Sequence, residues 1–221
     1  MFDPHGTLAR ALWIGGGQWA GKSTAAHLLA VRHGLIAYHY DYHDARGHED
    51  RRIARRVRLG APPDERTLDE VWVRRTPEQM AEEAIQGFRA GFEWALDDLR
   101  ALDGARPVIA EGWGLRPELV APLLDSPRRM VVLTPTEAFR RHQLETLPRA
   151  AVFSRAAQVS DPARAQANRV ARDRLVAEDA VRRAREAGIR VIEVDGTLDA
   201  EAVAQLVAEH FAPFLDAGRS P

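Results

Sequence analysis

The chain's 221 residues suffice for one compact domain, and 45% apolar with 29% charged side chains is an ordinary soluble make-up. Formal charge is −1, from 31 basic and 32 acidic residues, so no overall basic field points to nucleic acid or to an anionic membrane. Cysteine is absent, which excludes disulfides, thiolate metal sites and cysteine nucleophiles, and no apolar run approaches the length of a membrane span.

The first ten residues hold no apolar signal core, so the cytoplasm is the expected compartment. Strand-like apolar runs then alternate with helical stretches, which predicts an α/β fold with a parallel sheet. The strands are expected over 11–15, 35–40, 107–111, 129–134 and 189–195. Several lack polar alternation, as strands covered on both faces do. A helix is expected over 23–33, carrying Ala25, Ala26, Leu28, Leu29 and Val31 and stopping at Gly34. Thr76-Pro77-Glu78-Gln79 combines an N-cap, a first-turn proline and a capping-box glutamine. The helix after it runs to about 102, and Met80, Ala84, Phe88, Phe92, Leu96 and Leu99 form one buried stripe. Thr134-Pro135-Thr136-Glu137 repeats the capping device after the fourth strand. A long Ala/Arg-rich helix is expected over 162–187, ending at Gly188, and a last one over 199–211, with 216–221 frayed. The stretch 146–162 is proline-flanked, polar and weakly periodic. No repeat and no linker divides the chain, so residues 1–221 read as a single domain.

Between the first strand and the first of these helices, Gly16-Gly17-Gln18-Trp19-Ala20-Gly21-Lys22-Ser23 fits the phosphate-loop pattern G-x-x-x-x-G-K-[ST] at every fixed position. Its glycines let successive backbone N–H groups turn inward around phosphates, and the helix that follows adds its positive dipole end. Lys22 is then expected to reach the β- and γ-phosphates of ATP, and the Ser23 hydroxyl to hold Mg²⁺. Thr24 follows as the next residue of the nucleotide-binding set, which runs from Gly16 through Gly17, Gln18, Trp19, Ala20, Gly21, Lys22 and Ser23. Lys22 is also the only lysine among the 31 basic residues. It stands where a compact ammonium does what arginine's planar fork does poorly.

On this motif the chain resembles the P-loop NTPases, and within them the small nucleoside- and nucleotide-kinase-like group that includes shikimate kinases, gluconate kinases and chloramphenicol phosphotransferase. The resemblance covers most of the chain as an order of elements. It implies a three-layer P-loop fold: a five-stranded parallel sheet of order 2-3-1-4-5, helices on both faces and a helical, arginine-bearing lid over ATP.

Ligands of open α/β sheets sit at the carboxyl ends of the strands, and two of the strands here end in acids. The second continues into Tyr40-Asp41-Tyr42-His43-Asp44. In kinases of this kind an Asp just after that strand faces the acceptor hydroxyl as base or orienter, a place Asp41 matches best, with Asp44 in reserve. His39, Asp41 and His43 alternate and would share a face if extended; an aromatic-lined acceptor pocket with neutral histidines is the preferred reading over a metal site. The third strand ends in Glu111, a Walker B-like place from which a carboxylate could hold Mg²⁺ through water or hydrogen-bond the acceptor.

The resemblance puts the lid at residues 140–173. Arg141, Arg149, Arg155, Arg164, Arg169 and Arg172 fall within it, and Asn168-Arg169…Arg172-Asp173 is most similar to the lid edge of nucleotide kinases. Arg169 and Arg172 are therefore the candidates for clamping the γ-phosphate. The resemblance also puts the adenine slot beside Asp195-Gly196-Thr197.

The leading expectation is an ATP-dependent kinase acting on a hydroxyl of a small molecule, with no nucleic-acid or membrane partner. The N-K-x-D guanine signature of GTPases and the LSGGQ-like loop of ABC ATPases are absent. A sulfotransferase fits the lysine-serine pair poorly. The alternative from another class is a nucleotide-binding regulatory protein with weak hydrolysis. Acceptor-pocket candidates are Tyr38, Tyr40, Tyr42, Trp72 and Trp113, with Arg74 and Arg75 nearby, a set that favours a ring-bearing or anionic acceptor. Nothing in the sequence specifies an oligomeric state.

Overall fold

Apolar strands with so little polar alternation need cover on both faces, and helices supply it. The computed structural model describes residues 3, 5–62, 64–102, 106–147 and 159–215. In chain order the elements are α1 (Thr7–Arg10), β1 (Leu12–Gly16), α2 (Lys22–His33), β2 (Ile36–His39), α3 (Tyr40–His43), a wide π-helical turn (Asp44–His48), α4 (Glu49–Arg58), α5 (Leu68–Trp72), α6 (Pro77–Arg100), β3 (Val108–Glu111), α7 (Pro117–Val120), β4 (Met130–Pro135), α8 (Glu137–Thr146), α9 (Pro162–Glu186), β5 (Arg190–Val194) and α10 (Ala200–Leu215).

The strands form one sheet of order β2-β3-β1-β4-β5, and every pair is parallel. Period-two alternation splits each strand between two cores. Trp13, Val108, Ala110, Met130 and Val132 meet Phe88, Phe92, Leu96 and Leu99 of α6 and Val176 of α9. On the other face Leu12, Ile14, Ile109, Val131 and Leu133 meet Leu29 of α2 and Val203, Val207 and Phe211 of α10. The expected three-layer architecture and strand order are thus present. So is the Thr76–Gln79 capping box, with both of its hydrogen bonds made.

The second predicted cap is displaced. Pro135 ends β4, and Thr136 caps α8 by accepting from Phe139 N–H at 3.3 Å. Thr134 is a buried strand residue instead. The chain is also more helical after β2 than its alternating residues suggest, because it turns into α3 directly at Tyr40. Among the described residues no helix is long and apolar enough to cross a membrane. The expected fraying of 216–221 and the middle of the expected lid, 148–158, lie outside the described residues.

Candidate active site

The loop between β1 and α2 makes the turn its sequence requires. Gly21 adopts φ +77°, and Trp19 is the only non-glycine with positive φ among the described residues, at +69°. A bulky residue in that region is held only where its surroundings over-determine it, as they do in a loop wrapped around a ligand position.

A cavity of about 330 Å³ opens on this loop. Gln18, Trp19, Ala20, Gly21, Lys22, Ser23 and Thr24 line it from the loop and α2, Asp41 from α3, and Arg169, Arg172 and Asp173 from α9. The four side chains expected to be catalytic, Lys22, Asp41, Arg169 and Arg172, therefore converge on one space. Gly16, the last residue of β1, and Gly17 after it are not part of the lining, and Gly17 N–H donates to Leu133 O at 2.8 Å.

Lys22 is not an exposed loop residue, as its place in the motif suggests. It is buried, and its ammonium donates to Gly17 O at 2.7 Å. Burial pushes its pKa below the usual lysine range, while the charges of Asp41, Glu111 and Asp173 pull the other way. Asp41 is the counterpart. Burial raises it to about 6, opposed chiefly by Lys22, and Trp113 N–H donates to its Oδ1 at 3.1 Å.

Glu111 closes β3 with its carboxylate buried. His39 Nδ1 lies 2.8 Å from Glu111 Oε1, and Oε2 is buried with no hydrogen-bond partner. An orphaned buried carboxylate oxygen near the phosphate loop fits a magnesium-bound water, since Mg²⁺ keeps several waters and few protein ligands. Among the described residues no three His, Asp or Glu side chains gather as a group that could hold a metal alone. The alternation of His39, Asp41 and His43 does not survive the turn into α3. His39 meets Glu111, whereas His43 stacks on Tyr38 at 4.6 Å between ring centroids.

The reserve residue Asp44 serves the π-helical turn. It accepts from Arg52 Nη1 at 2.8 Å and from Tyr40 OH at 3.4 Å. Tyr38 and Tyr40 belong to the core rather than to a pocket, and Tyr42 is exposed. Arg75 pairs with Glu83. The two tryptophans differ from the tyrosines: Trp72 and Trp113 are half-buried, and the Arg172 guanidinium lies 4.9 and 5.0 Å from their ring centroids.

Two residues that the sequence offers only as the ends of the lid-edge motif have contacts that the motif does not specify. Asp173 is buried and accepts from Arg172 Nε at 2.9 Å and Nη2 at 2.6 Å, which aims the guanidinium. Asn168 Nδ2 donates to the carbonyls of Trp72, Val73 and Arg75 at 3.0 to 3.4 Å, joining α9 to the segment after α5. The adjacency of Asp173 to Arg172 suggests their pairing, whereas nothing in the lid-edge motif points Asn168 at these carbonyls.

A second cavity of about 290 Å³ adjoins the first through Trp19, Ala20, Gly21 and Thr24. Phe139, Val194, Gly196, Leu198 and Val203 give it apolar walls, so it lies beside Gly196 where the adenine slot is expected. A larger groove of about 770 Å³ runs along α8 and α9, but Arg140, Arg174, Arg182 and Arg185 in its lining are matched in number by Glu137, Glu178, Glu186 and Glu193, which leaves no excess charge.

Together the parallel order 2-3-1-4-5 and a glycine loop between β1 and α2 decide the fold. It is the P-loop fold. A shikimate kinase from Acinetobacter baumannii in complex with shikimate is similar at 16% identity and a TM-score of 0.48, over 94% of this chain and 96% of that one. A shikimate kinase from Aquifex aeolicus vf5 is similar at 14% identity and a TM-score of 0.37, over 92% and 96%. No family model and no curated protein matches the chain. These identities and scores are too low for either enzyme's activity to pass to this chain.

Proposed function

We propose that this chain is an ATP- and Mg²⁺-dependent kinase that transfers the γ-phosphoryl group to a hydroxyl of a small molecule, within a single domain. One observation carries the reading: Lys22, Asp41, Arg169 and Arg172, from three separate elements, line one cavity on the phosphate loop. A loop that only bound nucleotide and Mg²⁺ would need Lys22, Ser23 and one acid for the metal, a part Glu111 can take, but no second carboxylate in the phosphate cavity.

Each residue's part follows from its chemistry. The loop N–H groups and Lys22 cradle the phosphates, and ATP replaces Gly17 O as the partner of the ammonium. Ser23 and Glu111 are the residues that would hold Mg²⁺, which when bound neutralises charge on the β- and γ-oxygens. Asp41 accepts the acceptor's hydroxyl proton as the new O–P bond forms and the bond to the β-phosphate oxygen breaks, releasing ADP. A carboxylate raised to about 6 is ionised at neutral pH yet more basic than an ordinary aspartate. Arg169 lies over the Trp19 ring at 5.7 Å, on the donor side, and stabilises the transferring group.

The test is ADP release from ATP·Mg²⁺ with and without a panel of hydroxyl compounds. Acceptor-dependent ADP that is lost in Lys22→Ala supports the kinase. ADP release indifferent to every acceptor overturns it and leaves the regulatory nucleotide-binding reading.

A further inference from the structure

Arg172 is an unusual occupant of its place. Nε and Nη2 both donate to Asp173 Oδ1, which commits one edge of the guanidinium and leaves Nη1 uncommitted to that carboxylate. Its carbon then lies 4.9 Å from the ring centroid of Trp72 and 5.0 Å from that of Trp113. A flat cation is resting on two indoles, next to the carboxylate proposed to take the acceptor's proton.

The Trp113 ring and the Trp72 backbone are each held in place. Trp113 follows Gly112, whose φ of +154° and close approach to Tyr40 leave no room for a side chain. Its N–H is bonded to Asp41, and Phe88 meets its ring edge-on at 4.8 Å. Trp72 is anchored through its carbonyl, which Asn168 Nδ2 approaches at 3.0 Å. Neither residue is buried as completely as the core aromatics: Trp13, Tyr38, Tyr40 and Phe88 are all at most 4% exposed, whereas Trp72 and Trp113 keep part of their surface open at the edges of their apolar clusters. Two positioned, half-covered indoles beside an acid offer π-faces that stack on any flat ring and discriminate poorly among its substituents. A saturated polyol offers C–H groups rather than a π-face to them and gains less than a stacked ring does.

We propose that Trp72 and Trp113 form a stacking slot for an acceptor bearing a planar, aromatic or unsaturated ring, and that the Arg172 guanidinium is the occupant such a ring displaces. A ring stacked on Trp113 carries its hydroxyl alongside Asp41. Leaving the rings, Arg172 gives up at least one of its two bonds to Asp173 and turns within the phosphate cavity, which both residues line, toward the γ-phosphate. Acceptor binding thereby frees an arginine for phosphoryl transfer. The word acceptor rests on the kinase reading; the slot does not.

The test fills the donor site with a non-hydrolysable ATP analogue and Mg²⁺, then measures calorimetric binding of uridine and 4-nitrobenzyl alcohol, both planar, against gluconate and myo-inositol, both saturated. At least one planar probe is expected to bind, with the saturated ones about tenfold weaker or undetected. Trp72→Leu and Trp113→Leu should each weaken the planar probe about tenfold, and Trp113→Phe should restore most of the loss. Arg172→Met should tighten planar binding, because no occupant must leave, while slowing ADP formation. Trp72 lies in a short half-covered helix, so its variant keeps the test open if Trp113→Leu fails to fold. Absence of planar binding, or planar binding unchanged in Trp72→Leu, overturns the slot. Planar binding without acceptor-dependent ADP release would leave the slot standing and remove the kinase; ADP release with gluconate, indifferent to Trp72→Leu, would do the reverse.

Discussion

Trp113 N–H donates to Asp41 Oδ1 at 3.1 Å, tying the loop after β3 to the first turn after β2. The bond holds one carboxylate oxygen of a residue that lines the cavity together with Lys22. Much of the expected behaviour of the site follows from that pairing.

Asp41 should set the lower limb of the pH profile. Burial raises its pKa to about 6 in the folded chain. A carboxylate whose folded pKa exceeds its unfolded one is penalised when ionised, so its cost to stability is absent at about pH 3 and fully present well above pH 6. Asp41→Asn should therefore stabilise the nucleotide-free protein at about pH 8, by about 1–3 kcal/mol, and do little at acid pH. The same change should lower kcat about a hundredfold or more. Denaturant melts at both pH values and steady-state rates check this. If Asp44→Asn costs the activity and Asp41→Asn does not, the proton acceptor has been misassigned.

Lys22 should be indispensable for transfer but not for folding. Its buried ammonium donates to the backbone carbonyl of Gly17, and burial already disfavours its charge. Lys22→Met keeps the aliphatic stem and removes that charge. Turnover should fall about a hundredfold or more, the size expected for one transition-state charge contact. Asp41 should titrate higher in the variant, because the attraction that lowers its pKa is gone. A carbon-detected NMR titration of the Asp41 carboxyl reads the shift directly; an unmoved midpoint would separate the two residues.

Gly112→Ala should disturb both carboxylate and core. An added Cβ would stand 2.6 Å from Tyr40 Cβ and 2.9 Å from Asp41 Oδ1, on a backbone already at φ +154°. Neither neighbour can yield freely, since Tyr40 is buried and Asp41 is held by Trp113. About 2–4 kcal/mol of destabilisation is expected, from strain and overpacking together. A melting temperature and kcat both close to those of the unmodified chain would show that the loop relaxes.

What could be read from the sequence was local or strongly periodic. The phosphate loop fixes its residues within eight positions, and strands buried on both faces need only be apolar, so both were found. The alternation of His39, Asp41 and His43 misled because it assumed extended backbone, whereas the chain turns at Tyr40 and then widens into a π-helical turn. That turn is secured from a distant helix: His48 Nε2 lies 2.8 Å from Asp98 Oδ2 of α6. The burial of Lys22 and the alignment of Arg172 on Asp173 likewise depend on how α9 packs over the sheet. Asn168 is the extreme case, since its meaning rests wholly on carbonyls some 95 positions earlier, reached at 3.0 to 3.4 Å.

Those carbonyls lead to the last expectation, that donor and acceptor sides close together. Ser160 N–H donates to Asp69 Oδ1 at 2.7 Å, and Asn168 holds the segment after α5 from the first turns of α9. Val73, Val159 and Ala165 add a small apolar contact at the same junction. With so few buried groups, this junction should open more readily than α6, whose Phe88–Leu99 stripe is deep in the core. ATP·Mg²⁺ gives Arg169 and Arg172 a shared polyanion and should draw the start of α9 onto the phosphate loop. Hydrogen exchange is therefore expected to slow at residues 159–172 on adding ATP·Mg²⁺, and to slow at 67–75 as well, although that segment supplies nothing to the phosphate cavity. In Asn168→Ala the first response should remain and the second should shrink, with acceptor KM rising about tenfold while ATP binding changes little, as for loss of buried hydrogen bonds to three carbonyls. Protection confined to 159–172 in the unmodified chain would mean that the two sides move independently, and Asn168 would then be a structural contact only.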